Sequence, residues 1–109
     1  RWYNILMKKI RIIALKQTIY TDLIQKYENP IQHACPISEG QTWIVSNALC
    51  PSDFCQSAWQ NLYPYVFALA HGATDFFDGW MKDSRSALIS CNDGFRPVSF
   101  LLEVMEEKA

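Results

Sequence analysis

The sequence predicts an α+β fold with a small, mainly antiparallel sheet of about four strands, one major kinked helix over about residues 54–71, and a C-terminal β-hairpin. Three observations support this prediction. Apolar residues recur at three- and four-residue spacing along 54–71, which is typical of a helix with one buried stripe. Residues 98–104 alternate between apolar and other side chains, as a half-buried strand does. The tripeptide 92–94, Asn-Asp-Gly, is a strong turn signal.

The N-terminal part of the chain predicts a strand followed by a short helix. Residues 9–20 are rich in isoleucine and apolar at consecutive positions, which indicates a strand partly buried on both faces. Thr21 and Asp22 are suited to cap a helix that runs to Glu28. Pro30 then ends the segment, because the residue before a proline avoids helical geometry.

The main helix follows a loop and a second short strand over residues 41–46. Asp53 is the predicted N-cap, with Gln56 three residues later in capping-box spacing. Pro64 lies inside the helical pattern, so we expect a kink or a break into two helices there. Gly72 ends the helix as a C-cap.

Two strands close the chain as a hairpin around the 92–94 turn. They span residues 87–91 and 95–105, and Gly94 is expected to supply a positive φ at the turn. Pro97 cannot donate to a strand ladder, which places its end of the second strand at an edge or a bulge. Between the main helix and the hairpin we predict a loop that carries Phe76, Phe77 and Trp80.

Length and composition indicate one domain over residues 1–109. Residues 1–6 are expected to be an extension outside the core fold, because the segment 7–10, Met-Lys-Lys-Ile, resembles a natural start. The chain is 50% hydrophobic and 19% charged, which excludes a disordered chain. Ten Lys and Arg balance eleven Asp and Glu, so nucleic acid and anionic membranes are not expected as partners. No apolar run approaches the ~20 residues that span a bilayer, and no signal-peptide cleavage site is recognised. We therefore expect a cytoplasmic protein.

Four cysteines, at positions 35, 50, 55 and 91, carry most of the chemical interest. No Cys-x-x-Cys pair occurs, so any cluster must be assembled by the fold. Three interpretations follow: small hydrophobic side chains in the core, ligands of a metal ion or an iron–sulfur cluster, or reactive thiols. Thiolate sites form at positions such as those of Cys35 after a loop, Cys55 in the first turn of the helix and Cys91 beside a tight turn.

Several motifs together resemble a small family of uncharacterised prokaryotic proteins. The motifs are Cys35-x4-Gly40, Cys55-x-x-Ala58, Tyr63-Pro64-x4-Leu69 and Cys91-x-Asp93-x3-Pro97-Val98-x-Phe100. The resemblance covers roughly residues 10–104. Because the family has no assigned activity, the resemblance implies no particular function. It singles out Cys35, Cys55 and Cys91 and leaves Cys50 aside.

Other candidate residues have an ordinary structural interpretation beside a functional one. His33 is a conceivable fourth metal ligand, because it lies two residues from Cys35. His71 is first a partner of the helix C-terminus and second a general base. Asp93 is first a turn residue and second a catalytic carboxylate. Arg96 is first a member of a structural ion pair and second a group that binds a carboxylate or phosphate.

The aromatic residues divide into two groups. Trp43, Trp59, Tyr63 and Phe67 are expected in the core, since aromatic side chains bury large areas in a domain of this size. Trp80, with Phe76 and Phe77, lies in the predicted loop, where it covers the core, lines a pocket for a small molecule, or forms a subunit contact.

Two hypotheses on function result. In the first, Cys35, Cys55 and Cys91 hold zinc or an iron–sulfur cluster, with one position left for His33, water or a substrate, and support redox or metal-assisted chemistry. In the second, the protein is a non-enzymatic binding module with cysteines in its core, and the loop aromatics mediate a homodimer. A third, weaker interpretation is a thiol enzyme that uses Cys55.

Overall fold

The strands form one antiparallel sheet in the computed structural model, which describes residues 7–32 and 35–106. In sheet order the strands are Thr42–Val45 (β2), Lys9–Gln17 (β1), Val98–Met105 (β4) and Ser86–Ser90 (β3). The predicted α+β fold, with one main helix and a C-terminal hairpin, is confirmed. The predicted extension 1–6 and the candidate ligand His33 lie outside the described residues. In chain order the elements are β1 (Lys9–Gln17), α1 (Thr21–Tyr27), β2 (Thr42–Val45), α2 (Gln56–Ala70), α3 (Phe76–Gly79), β3 (Ser86–Ser90) and β4 (Val98–Met105).

Strand β1 lies inside the sheet, between β2 and β4. Ile10, Ile12 and Ala14 have no exposed surface, whereas Leu15 on the opposite side is 46% exposed. Burial therefore alternates along the strand, and only one of its faces is fully buried, in contrast to the predicted partial burial of both. The strand ends at Gln17, three residues before the predicted end.

Helix α1 begins one residue earlier than the capping prediction. Tyr20 is the N-cap, with no side-chain cap, and the N–H of Ile24 donates to the C=O of Tyr20 at 3.0 Å. Thr21 and Asp22 are therefore inside the first turn, so the predicted capping by these two side chains is wrong. The helix ends at Tyr27, one residue before the predicted end, and Glu28 is its C-cap.

Helix α2 begins at Gln56, two residues later than predicted, and its N-cap is Cys55. The predicted N-cap, Asp53, is wrong because Phe54 is drawn out of the helix into the core. The Phe54 side chain is 4% exposed, and its ring packs edge-on against Trp43 at a centroid distance of 4.8 Å. Burial of a large aromatic ring outweighs the contribution of one cap.

Pro64 does not interrupt α2. The helix is continuous from Gln56 to Ala70, so the alternative of two short helices is wrong. Pro64 and Gln60, whose carbonyl loses its helical partner, are both exposed, so water can take the place of the missing donor. Gly72 follows the helix with a φ of +91°, which is the C-terminal geometry expected of glycine.

The core lies between α2 and one face of the sheet. The buried stripe of α2 appears as predicted, except that Trp59 is only partly buried and Cys55 is exposed. Tyr63 and Phe67 are 40% and 46% exposed, so their predicted place in the core is wrong. The buried residues of the helix are Ala58, Leu62, Val66, Leu69 and Ala70, and they face Ile10, Ile12, Ala14, Val45, Ala87, Val98, Phe100 and Leu102 of the sheet.

The hairpin connection between β3 and β4 spans residues 91–97. The N–H of Cys91 donates to the C=O of Val98 at 3.0 Å and closes it. Gly94 does not have the positive φ that the turn motif predicted. Pro97 lies just before β4, where no ladder hydrogen bond is required of it.

The face of the sheet opposite α2, which we call the outer face, carries both apolar and charged side chains. The register pairs Ile13 of β1 with Leu101 of β4, and Leu101 with Leu88 of β3. Ile44 and Leu88 are 44% and 39% exposed. The outer face includes Arg11, Ile13, Ile44, Leu88, Leu101 and Glu103.

The longest helix in the part of the chain that the structure describes is α2, with 15 residues. Within residues 7–32 and 35–106, no helix is long and apolar enough to cross a membrane.

Candidate functional site

The N-terminal end of α2 carries two cysteines on either side of a tight turn. The N–H of Phe54 donates to the C=O of Pro51 at 3.1 Å and closes the turn 51–54. Cys50 precedes this turn and Cys55 follows it. Cys55 is exposed and Cys50 is half-buried, and both are free thiols. The two sulfurs therefore belong to one short segment, held in place by the buried ring of Phe54.

Cys50 has a defined polar environment. The side-chain amide of Gln56 donates to Cys50 Sγ at 3.4 Å, and the thiol lies 3.5 Å from the C=O of Pro51. Burial raises the pKa of the Cys50 thiol, the hydrogen bond from Gln56 lowers it by less, and the nearby Cys55 raises it. Because metals bind the thiolate form, Cys50 is a poorer ligand than an ordinary cysteine.

Cys91 lies at the end of β3, close to the first turns of α2. Its sulfur accepts a hydrogen bond from the N–H of Val98 at 3.3 Å. The next residue, Asn92, accepts a hydrogen bond from Ser57 Oγ at 2.8 Å. One turn further along α2, the Asn61 amide donates to the C=O of Ser90 at 3.2 Å. The loop that carries Cys91 is thus attached to the same end of α2 that carries Cys55.

Cys35 is half-buried and packs against the core. It follows positions 33–34, which include the predicted ligand His33 and are not described. Among the described residues, no three His, Cys, Asp or Glu side chains are grouped so that they could hold a metal ion. The structure thus associates Cys55 and Cys91 with one end of α2 and leaves Cys35 outside any such group.

Asp93 and Arg96 both have structural partners. Asp93 Oδ1 accepts hydrogen bonds from the N–H groups of Phe95 and Arg96, at 2.8 and 3.1 Å, and shapes the hairpin connection. The Arg96 guanidinium binds Glu28 through two hydrogen bonds of 3.0 and 2.8 Å. This contact with Glu28 raises the pKa of Arg96. The ion pair of Arg96 with Glu28 connects the end of α1 to the hairpin. Asp93 is thus a turn residue and Arg96 a member of a structural ion pair, which are the roles expected first for each of them.

His71 terminates a row of aromatic side chains along α2. Its Nδ1–H donates to the C=O of Phe67 at 2.8 Å, and its ring lies 4.2 Å from the ring of Phe67. The row continues through Tyr63 to Trp59, with centroid distances of 5.9 and 5.6 Å. A spacing of four residues places these rings one above another on a helix, so this row was readable from the sequence.

Trp80 borders an open groove at the β3 side of the sheet. Phe77 and Trp80 are 69% and 47% exposed, and their rings pack edge to face at 5.5 Å. Phe77 lies in the short α3 turn with a positive φ of 51°, where the sequence predicted a loop. The groove has a volume of about 390 Å³ and is lined by Trp80, Met81, Lys82, Asp83, Ser86, Leu101 and Glu103.

The sequence missed two features of the site. The partnership of Cys50 with Gln56 was hidden because Gln56 was expected to form a capping box. The hydrogen bond between Ser57 and Asn92 joins residues far apart in the chain, and no local pattern indicates it.

Comparisons of the chain with protein-family models, with curated proteins and with solved structures give no match. The resemblance of the cysteine motifs to a family therefore stays a prediction, and the function has to be argued from the site.

Proposed function

We propose that the protein is a thiolate metal-binding protein. Cys35, Cys55 and Cys91 would hold a zinc ion or an iron–sulfur cluster, with a fourth position for His33, water or a small-molecule substrate. The observation that carries the proposal is the 2.8 Å hydrogen bond from Ser57 to Asn92, which attaches the loop of Cys91 to the helix end that carries Cys55. Three protein ligands with one open position are typical of catalytic metal sites, so redox or metal-assisted chemistry is part of the proposal.

The surroundings of the two associated cysteines suit metal ligation. Cys55 is the N-cap of α2, where the positive end of the helix dipole favours an anion such as a thiolate. Cys91 Sγ receives a backbone hydrogen bond from Val98, and N–H donors to ligand sulfurs tune metal–thiolate centres. Cys55 is exposed, which leaves one side of the centre open.

Cys35 enters the proposal through the motif Cys35-x4-Gly40. The residue is half-buried against the core and belongs to no group of three potential ligands among the described residues, so its ligation would require a rearrangement of the loop near residue 35. Gly40 has a φ of +90° and ends this segment in a turn with Ser38 and Gln41. Metal affinity would therefore include the cost of rearranging the loop, because a site of this kind forms together with local folding.

The proposal is tested by metal analysis of untagged protein purified without oxygen. Zinc, iron and acid-labile sulfide are quantified, and a visible absorption spectrum is recorded. We expect stoichiometric metal in the wild type and loss of it in Cys35→Ser, Cys55→Ser and Cys91→Ser. Cys50→Ser is the matched control and should keep its metal, because burial raises the pKa of Cys50. Protein without metal, or equal metal content in all four variants, would contradict the proposal.

A second candidate function is supported by the exposed loop aromatics. Phe77 and Trp80 stand in contact with each other and expose 69% and 47% of their surfaces beside the groove. Exposed aromatic clusters are typical of protein contacts. We propose as the alternative a non-enzymatic module in which these residues mediate a homodimer and the cysteines are structural. Its mass in light scattering would rise with concentration, and a strict monomer would argue against it.

A further inference from the structure

The turn 51–54 brings two thiols to its two ends. The hydrogen bond from Phe54 to Pro51 defines a four-residue turn, in which the first and last Cα atoms are less than about 7 Å apart. Cys50 and Cys55 are the residues directly outside this turn. Disulfides form between residues whose Cα atoms are about 4.4–6.8 Å apart. The close approach of the two ends of this turn is therefore the geometry on which a bond between Cys50 and Cys55 depends.

The side chains of this segment also approach one another. Gln56, the neighbour of Cys55 in the chain, reaches back and places its amide nitrogen 3.4 Å from Cys50 Sγ. Burial is the largest cause of the raised pKa of Cys50, and the nearby Cys55 also raises it.

The buried ring of Phe54 fixes the turn from inside. It is 4% exposed and packs against Trp43 at 4.8 Å and Phe100 at 5.5 Å. The turn is therefore anchored to the core at its last residue, and the following residue, Cys55, begins α2. An anchored turn limits the separation of its flanking residues, so little chain entropy is lost when they are joined.

We propose that Cys50 and Cys55 are a peroxide-sensitive thiol pair that forms a disulfide across the turn 51–54. Cys55 reacts first, because its thiol is exposed, and Cys50 then resolves the product from its half-buried position. This reaction goes beyond the proposed metal site and does not require a metal.

The chemistry is a two-electron oxidation by a hydroperoxide. The Cys55 thiolate attacks the outer oxygen of the hydroperoxide, the O–O bond breaks, and the remaining alkoxide takes a proton and leaves as an alcohol, or as water from hydrogen peroxide. Cys55 is now a sulfenic acid. The Cys50 sulfur attacks the Cys55 sulfur, the S–O bond breaks, and the departing hydroxide takes the Cys50 proton to leave as water.

The pair differs from the other two cysteines in its placement. Cys91 lies at the end of β3, with its sulfur bonded to the N–H of Val98. Cys35 is half-buried against the core. Neither residue flanks the turn 51–54, so oxidation should be confined to two of the four cysteines.

The test uses the full-length protein as purified and the same protein after treatment with a chelator, each exposed to hydrogen peroxide. Intact mass and thiol titration should show the loss of two hydrogen atoms and of two thiols out of four, and peptide mapping should locate the bond between Cys50 and Cys55. Cys50→Ser should abolish the disulfide and leave a sulfenic acid at Cys55 that dimedone traps. Cys35→Ser and Cys91→Ser are the matched controls and should still form it.

Comparison of the untreated and the chelator-treated sample distinguishes failure of the thiol pair from failure of the proposed metal site. A Cys50–Cys55 disulfide in both samples, or only after chelation, supports the thiol pair, and the second pattern shows in addition that a metal protects Cys55. Absence of this disulfide in both samples overturns the thiol pair, whether or not metal was found. A disulfide that joins any other two cysteines overturns it as well.

Discussion

Cys50 and Cys55 illustrate how one short turn gives two identical residues different chemistry. Cys55 is exposed at the start of α2, whereas Cys50 is half-buried and hydrogen-bonded by Gln56. Desolvation of a thiol disfavours its charged form, and a hydrogen bond from an amide favours it. In Cys50 the desolvation is the larger effect, so the pKa of the thiol is raised.

This raised pKa predicts slow alkylation of Cys50 near neutral pH. The thiolate is the reactive form, so the pH at which iodoacetamide modifies Cys50 should be higher in the folded protein than in urea. The raised pKa of Cys50 also makes the free energy of unfolding depend on pH. The folded state holds this proton more tightly, so the contribution is present below the unfolded pKa and is lost as the pH rises through the folded one.

Peptide-resolved mass spectrometry over a pH series measures the alkylation of Cys50. Gln56→Leu is an informative variant, because it removes the hydrogen bond that lowers the pKa and should move the Cys50 profile to still higher pH. Identical Cys50 profiles in the folded and the denatured protein would contradict the assignment.

At the scale of elements, the sequence pattern specifies some features of α2, such as its buried stripe, and leaves others open, such as its first residue. The buried stripe was predictable, because spacing of three and four residues follows directly from helical geometry. The first residue of the helix was not, because it depends on the burial of Phe54 against Trp43, which is distant in the chain. The same holds for the candidate site. The motifs indicated Cys35, Cys55 and Cys91 alike. The association of Cys55 with Cys91 alone depends on the contact between Ser57 and Asn92, which no motif indicates.

Removing that contact should loosen the loop of Cys91. We expect Ser57→Ala and Asn92→Ala each to lower the free energy of unfolding by about 0.5–1 kcal/mol, since both residues are exposed and one neutral hydrogen bond is lost. The double variant should cost about as much as either single one. Urea denaturation of all four proteins measures this coupling, and strictly additive losses would exclude an interaction between the two side chains.

Replacing Pro64 should raise the stability of the protein, whereas removing the contact between Ser57 and Asn92 should lower it. The helix continues through this exposed proline without the hydrogen bond to the carbonyl of Gln60. Pro64→Ala restores the donor and a good helix former, so the free energy of unfolding should rise by about 1–3 kcal/mol. Pro30→Ala, after the end of α1, is the matched control. This variant should leave the free energy of unfolding unchanged or lower it by up to about 1 kcal/mol, because its effect is only to increase the conformational entropy of the unfolded chain.

A loss of stability in Pro64→Ala would mean that the proline ring packs in a way that its exposure does not indicate. Calorimetric melting of Pro64→Ala and Pro30→Ala provides an independent check.

At the scale of the whole molecule, the sheet has one face covered by α2 and one outer face that is partly exposed. This asymmetry arises because α2, the one long helix among residues 7–32 and 35–106, packs on one side of β1, β3 and β4. The exposed apolar residues Ile44 and Leu88 lie on the other side. The strand order β2-β1-β4-β3 was beyond the sequence patterns, since these specify the adjacent strands of a hairpin and not pairing between distant strands.

The outer face bears on the homodimer alternative, because Leu101 lies both on this face and in the groove beside Trp80. A stable dimer buries roughly 800 Å² on each partner. Each large aromatic side chain contributes at most about 150–250 Å². The area that Phe77 and Trp80 could bury is therefore too small for a stable dimer. A dimer formed through these two residues would have to bury Leu101 and Leu88 as well.

This extent makes the homodimer testable by substitution. Phe77→Ser combined with Trp80→Ser should turn a concentration-dependent dimer into a monomer in sedimentation and light scattering, and Leu88→Lys should do the same by placing a charge in the extended contact. Tyr27→Ser is the matched control, because Tyr27 is 66% exposed on α1 and lies outside the proposed contact. If the Tyr27 variant dissociates as readily as the others, association is a general property of exposed aromatic surface and the alternative function loses its basis.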